Sequence, residues 1–132
     1  MIKFFYTRLL SFRNAFIGWW YVIRTQKNAW IHAVATVVVC LVGFWLKLSV
    51  WDWAVIVLVI AMVWTAEFLN TALEIVVDLA SPDLHPLARV GKDVGAAAVL
   101  IAAASSAIIG ILIMGKPFIE RVQHLWSALG IK

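Results

Sequence analysis

Residues 53–66, WAVIVLVIAMVWTA, run for fourteen positions without a formal charge, and the next twelve, EFLNTALEIVVD, bring three carboxylates and an amide. A chain of 132 residues has too little interior to hide such runs from water. Here 64% of residues are hydrophobic, only 14% are charged, and the mean hydropathy is +0.97. Those values lie far outside the soluble range, so lipid is the solvent for most of the chain. One membrane-embedded domain is expected, and the return of acidic groups inside the same helical run needs a chemical reason.

The pattern predicts an all-α integral membrane protein with three transmembrane helices and an N-terminal interfacial amphipathic helix. Residues 1–28 mix aromatic and basic side chains at helical spacing and suit an anionic membrane surface. Residues 29–48 hold the first span, in which His32 is the only acidic or basic side chain before Lys47. KLSVWDW, residues 47–53, reads as a short polar turn. The second span covers 51–79, and 80–92 reads as a loop marked by Pro82, Pro86 and Gly91. The third span, 93–115, is rich in Ala, Ser and Gly, which lets helices approach closely and suits the packing core of an oligomer or tight bundle. Residues 116–132 read as a short amphipathic tail.

Basic residues set the expected orientation. Lys3, Arg8, Arg13, Arg24, Lys27, Arg89 and Lys92 fall on the side of the N-terminus, against Lys47, Lys116, Arg121 and Lys132 on the other. Seven against four places the N-terminus and the 80–92 loop in the cytosol. The +4 charge is no nucleic-acid signal, since no polar domain accompanies it. Arg8 and Arg13 interrupt any leader core, so a cleaved leader is not expected. Cys40 reads as a packing residue, and neither zinc spacing nor a glycine-rich phosphate loop appears.

On a helix advancing about 100° per residue, with Glu67 at 0°, Asn70 falls near −60°, Thr71 near +40°, Glu74 near −20° and Asp78 near +20°. The stripe occupies about 100° of arc and rises about 16 Å. A carboxylate in hydrocarbon costs about 2.5–3.5 kcal/mol, so the row needs protonation, basic partners or a metal. Like charges a turn or two apart disfavour one another's ionised form, which suits Glu67 to accept a proton from a hydroxyl. Hard oxygen ligands at the water boundary suit Mg²⁺. An enzyme on a membrane substrate, a proton path and a small transporter all remain open.

A second landmark is GKDVGAA, residues 91–97. Lys92 and Asp93 stand at a helix start, where free N–H groups attract anions, and Arg89 and His85 are near in sequence. Acidic ligands on one helix and a basic helix start opposite fit a metal–nucleotide complex.

EFLNTALEIVVDL and HPLARVGKDVGAAAVL resemble the signature of the prokaryotic diacylglycerol kinase family. SFRNAFIGW, NAWIH and SPDLHPLA resemble its undecaprenol kinase branch most, and the similarity runs from about Ser11 to Ile113. The resemblance implies a homotrimeric kinase of the bacterial inner membrane, its site at the cytosolic face, transferring the γ-phosphoryl of Mg-ATP to a lipid hydroxyl. Undecaprenol is the expected acceptor and diacylglycerol the alternative; a proton path or transporter oligomer is the non-enzymatic one. By the same resemblance Glu67 is the general base, Asn70 a positioning group and Glu74 the metal ligand. Asp78, Asp83, Leu84, His85, Lys92 and Asp93 line the nucleotide site together with Asn70 and Glu74. The family's second acidic metal ligand falls at Gln26, whose neutral oxygen implies weaker metal binding. Trp30 and His32 stand where diacylglycerol-specific members carry charged residues, and with Glu67 they are expected to line the lipid site.

Overall fold

A computed structural model describes residues 2–81 and 85–128. The described residues form four helices: α1 (Ile2–Thr25), α2 (Lys27–Leu46), α3 (Val50–Ala80) and α4 (Pro86–Ala128). The last three are long and apolar enough to cross a membrane. At 1.5 Å per residue α2 matches a hydrocarbon layer of about 30 Å, while α3 and α4 reach about 46 and 65 Å and must project beyond it.

The breaks between helices have local causes. Gln26 takes an extended conformation (φ −98°, ψ 116°) and separates α1 from α2. Lys47 adopts the left-handed region (φ 55°, ψ 49°), and its N–H closes α2 on the Phe44 carbonyl. The chain then turns sharply enough to lay Trp53 on Gly43, where an added Cβ would stand 2.9 Å from the indole. Ser49 accepts the Asp52 N–H while the Asp52 carboxylate accepts the Ser49 N–H. This reciprocal cap makes residues 50–53 the first turn of α3, where a polar turn was expected.

α3 is the central helix and packs most extensively on α4. Ile56, Val59, Val63, Glu67, Asn70 and Thr71, three or four positions apart, form its buried face. α4 meets that face with Gly95 and Val99, and Ser106 Oγ donates to the Val59 carbonyl at 3.1 Å. The small residues of the third span thus bring α4 close to α3 within one chain. α1 is exposed along most of its length. Near its C-terminus Val22 and Ile23 are buried and cluster with Ala29, against Trp64 and Phe68.

Two boundary expectations are corrected. Helix α4 begins at Pro86, six residues into the expected 80–92 loop. Proline at a first helical position needs no N–H partner and arrives with helical φ, so it starts the helix. The His85 ring accepts the Leu87 N–H at 3.2 Å and caps it. At the other end, α4 passes through Pro117 to Ala128, so the expected separate tail continues the third span. The Phe118 ring against Trp45 at 5.8 Å and Arg121 over the same indole at 5.9 Å hold the continuation in place.

Candidate active site

The buried face of α3 turns polar at Glu67, 2% exposed. Its Oε2 lies 3.7 Å from His32 Nε2 on α2, and among the described residues neither buried atom has a hydrogen-bond partner. The imidazole is held from behind: Thr36 Oγ1 donates to the His32 carbonyl at 2.7 Å and accepts Trp64 Nε1–H at 3.2 Å. The Trp64 ring meets His32 edge-on at 6.4 Å. Trp64 sits one turn before Glu67, so a single contact set fixes both members of the pair. Thr71, 1% exposed, donates to the Glu67 carbonyl at 2.9 Å.

One turn further, Asn70 Nδ2 donates to Glu74 Oε1 at 2.9 Å. Asn70 Oδ1 is buried, unpartnered and pressed to α4 where that helix lacks a side chain. A Cβ on Gly95 would come within 2.3 Å of it. The half-buried Glu74 carboxylate is therefore oriented by Asn70, while the amide oxygen faces the neighbouring backbone. Another turn on, Asp78 accepts Lys92 Nζ at 2.8 and 3.1 Å, which ties the exposed end of the stripe to α4; because that helix begins at Pro86, Lys92 and Asp93 lie about two turns inside it and not at the helix start expected for them.

The predicted residues divide by place. Glu67, Asn70, Glu74 and Asp78 form one face, with His32 and Lys92 brought to it from α2 and α4. Asp93 is exposed and pairs loosely with Arg89 at 4.0 Å, one turn apart on α4. His85 is occupied in capping α4. Gln26 is half-buried at the α1–α2 break, its side chain making no cap hydrogen bond. Trp30 is 60% exposed, about 200° around α2 from His32. Asp83 and Leu84 lie outside the described residues.

Sequence reasoning missed Gly95 and the Trp64–Thr36 brace. The small-residue character of the third span was a signal for Gly95. The brace joins positions 28 residues apart and left none.

Among the described residues no three His, Cys, Asp or Glu side chains group as a metal cage. Mg²⁺ takes one or two carboxylates and otherwise holds water and phosphate oxygens. Glu74, oriented and partly open, supplies such a carboxylate.

An apolar cavity of about 560 Å³ opens between α2, α3 and α4, lined from His32 and Ala103 at one end to Val42 and Phe118 at the other. A second, about 750 Å³, lies between α1 and α3 beside Phe68 and Thr71.

Residues 13–114 match the family model of prokaryotic diacylglycerol kinase. The chain is 44% identical over 103 residues to an undecaprenol kinase of Bacillus subtilis (strain 168), covering 78% of this chain and 84% of that protein. It is 40% identical over 113 residues to a diacylglycerol kinase of Synechocystis sp., covering 85% of this chain and 65% of the relative. It is 32% identical over 83 residues to a diacylglycerol kinase of Escherichia coli (strain K12), covering 58% and 68% respectively.

Proposed function

The chain belongs to the prokaryotic diacylglycerol kinase family, and on that premise we propose that this lipid kinase transfers the γ-phosphoryl of ATP to the hydroxyl of undecaprenol in the bacterial inner membrane. The observation that carries the site assignment is the buried, unpartnered Glu67 carboxylate oxygen at the head of a polar face that ends in Lys92 and Asp78. A proton acceptor with no competing hydrogen bond, joined by one helix face to a cation that can meet phosphate, is the arrangement phosphoryl transfer to an alcohol needs. Undecaprenol is favoured over diacylglycerol by the greater identity to the relative bearing that name.

Counted from Val50, a crossing of about 20 residues ends near Leu69. Glu67 then lies at the inner edge of the hydrocarbon, and Asp78 about 16 Å further along, in the cytosolic headgroup and water layers. The lipid hydroxyl approaches Glu67 from the membrane and the nucleotide approaches from the cytosol. Glu67 takes the hydroxyl proton. Asn70 keeps Glu74 aimed, and Lys92 offsets charge on the transferring group. Asp78, His85 and Asp93, with Asp83 and Leu84, line the nucleotide side. Trp30 and His32 border the lipid. Glu74 would hold Mg²⁺ together with the phosphates, and the ion would supply positive charge to offset theirs. Gln26 offers a weaker second donor. The kinase works as a homotrimer with α1 in the interface, where its exposed aromatic and basic side chains match headgroups.

The test is transfer of label from γ-labelled ATP into extracted lipid, with undecaprenol and diacylglycerol offered separately. Glu67→Gln keeps the size and removes the proton acceptor, and lowers turnover by about 100- to 10,000-fold without changing oligomer size. Wild-type turnover in that purified variant would overturn the assignment.

A further inference from the structure

The gap between His32 and Glu67 has the dimensions of a binding site for one oxygen atom. At 3.7 Å the two facing atoms are too far apart to bond each other and too close for a water to lie in line between them. An oxygen offset to the side, about 2.8 Å from each, satisfies both. An alcohol suits both partners at once, because its oxygen accepts one N–H while its O–H donates to a carboxylate. His32 also lines the apolar cavity between α2, α3 and α4, which extends about 20 Å along α4 by residue count. The other polar side chains of that lining are already engaged. Thr36 bonds the His32 carbonyl and Trp64, and Ser106 bonds the Val59 carbonyl. The cavity thus has one unengaged polar side chain, at the end where Glu67 waits. A ligand that fits is a hydrocarbon chain with a hydroxyl at its terminus and no polar group along its length.

We propose that His32 Nε2–H and Glu67 Oε2 clamp the acceptor's hydroxyl between them, with the acceptor's own apolar chain laid along the α2–α3–α4 cavity. The proposal rests on the kinase reading above and assigns His32 a role as hydroxyl-binding residue. One oxygen lone pair accepts the His32 N–H, leaving the second directed at the γ-phosphorus. As the new O–P bond forms, the bond to the β–γ bridging oxygen breaks and ADP leaves with that electron pair. The hydroxyl proton passes to Glu67, and His32 keeps its own. The second lone pair is aimed only while the first is held, so loss of His32 affects the acceptor and leaves nucleotide binding alone.

The experiment compares wild type, His32→Leu, His32→Asn and His32→Gln, full-length in mixed micelles, with undecaprenol and with a two-isoprene alcohol as acceptors. Leu removes the donor at similar volume, Asn is too short to reach, and Gln restores an N–H. His32→Leu and His32→Asn are expected to lose about 10- to 100-fold in kcat/KM for either alcohol, with the KM for ATP within twofold. His32→Gln is expected to recover to within about fivefold of wild type. Retained kcat/KM in a folded Leu or Asn variant, or a Gln variant as impaired as those two, overturns the clamp. Gly110→Leu tests the chain site, because a Cβ there meets only Met114 at 3.9 Å and a leucine projects into the cavity. Undecaprenol transfer is expected to fall about tenfold or more with the short alcohol unaffected. Equal rates for both alcohols in that variant overturn the chain placement, as they would if a second copy of the chain covered the cavity. If wild type labels no lipid, or Glu67→Gln turns over normally, the kinase reading fails first, so the two failures are distinguishable.

Discussion

Gly95→Ala is the substitution whose consequences the structure constrains most tightly. A methyl group at this position would stand 2.3 Å from Asn70 Oδ1 and 3.1 Å from Leu73 Cδ2. Something must move by about 1 Å to reach ordinary contact distance. Asn70 cannot turn freely, because it is 8% exposed and its Nδ2 holds Glu74 at 2.9 Å. If Asn70 rotates, a hydrogen bond to a carboxylate worth about 1.5–3 kcal/mol is lost. If it stays, α3 and α4 separate at an overpacking cost of about 1–3 kcal/mol. Alanine returns about 1 kcal/mol through its better helix propensity. Either route leaves a net loss of roughly 0–2 kcal/mol. Activity should suffer more than stability, since the first route releases Glu74 and the second draws Lys92 on α4 away from the stripe on α3. We expect at least a tenfold fall in kcat, the equivalent of about 1.4 kcal/mol, measured with labelled ATP and a lipid alcohol. Thermal unfolding in detergent gives the stability arm. Gly115→Ala, where nothing lies within 4 Å of the added Cβ, is the control and should match or exceed wild type in both assays. Asn70→Ala combined with Gly95→Ala should regain stability without regaining turnover. Gly95→Ala with wild-type kcat would mean that the Asn70–Glu74 arrangement does not matter for the reaction.

The Lys92–Asp78 pair is 37% and 64% exposed, so Lys92→Met should leave the denaturation midpoint close to that of the wild type. If Lys92 meets the transferring phosphate, kcat/KM for ATP should nevertheless fall about 100-fold, read from ATP titrations beside denaturation curves. Gln26→Glu should lower the half-saturating Mg²⁺ concentration by about tenfold, or about 1.4 kcal/mol, seen in the activity titration and in direct Mn²⁺ binding. An unchanged metal dependence would remove Gln26 from the site.

The polar stripe could be read from the sequence because helical spacing alone puts Glu67, Asn70, Thr71 and Glu74 within one arc. The burial of Glu67, Asn70 and Thr71 against α4 and α2 agrees with that reading. His32 was legible as a polar group out of place in an apolar helix, but its distance from Glu67 depends on how α2 lies on α3, which no local pattern specifies. Gly95 was harder still. A glycine has no side chain to advertise its role, and this one matters because of what Asn70 does 25 positions earlier. Pro86 reads as part of a loop, yet it opens a helix, and the tail expected to begin at residue 116 is joined to the third span through Pro117, where Trp45 contacts made from α2 support it.

The same face of α3 that packs the bundle also carries the residues of the proposed chemistry, and this bears on how carboxylates can persist there. Ile56, Val59 and Val63 press α3 to its neighbours through ordinary apolar contact, and Glu67, Asn70 and Thr71 continue that surface without a change of phase. Each inserted acid costs about 2.5–3.5 kcal/mol in hydrocarbon, too much for hydrogen bonds of about 1 kcal/mol to offset singly. The cost falls because the acids come late in the helix. On the proposed placement Glu67 is at the edge of the layer; Glu74 is half-buried, and Asp78 is exposed and paired with Lys92. In the proposed reaction the graded exposure would let a single rigid helix reach from a lipid hydroxyl to a cytosolic phosphate. Close approach of α4 at Gly95 keeps that helix from rotating its acids toward acyl chains. A larger residue at Gly95 should therefore disturb every step of the transfer, whereas a change at Lys92 should disturb only the nucleotide end.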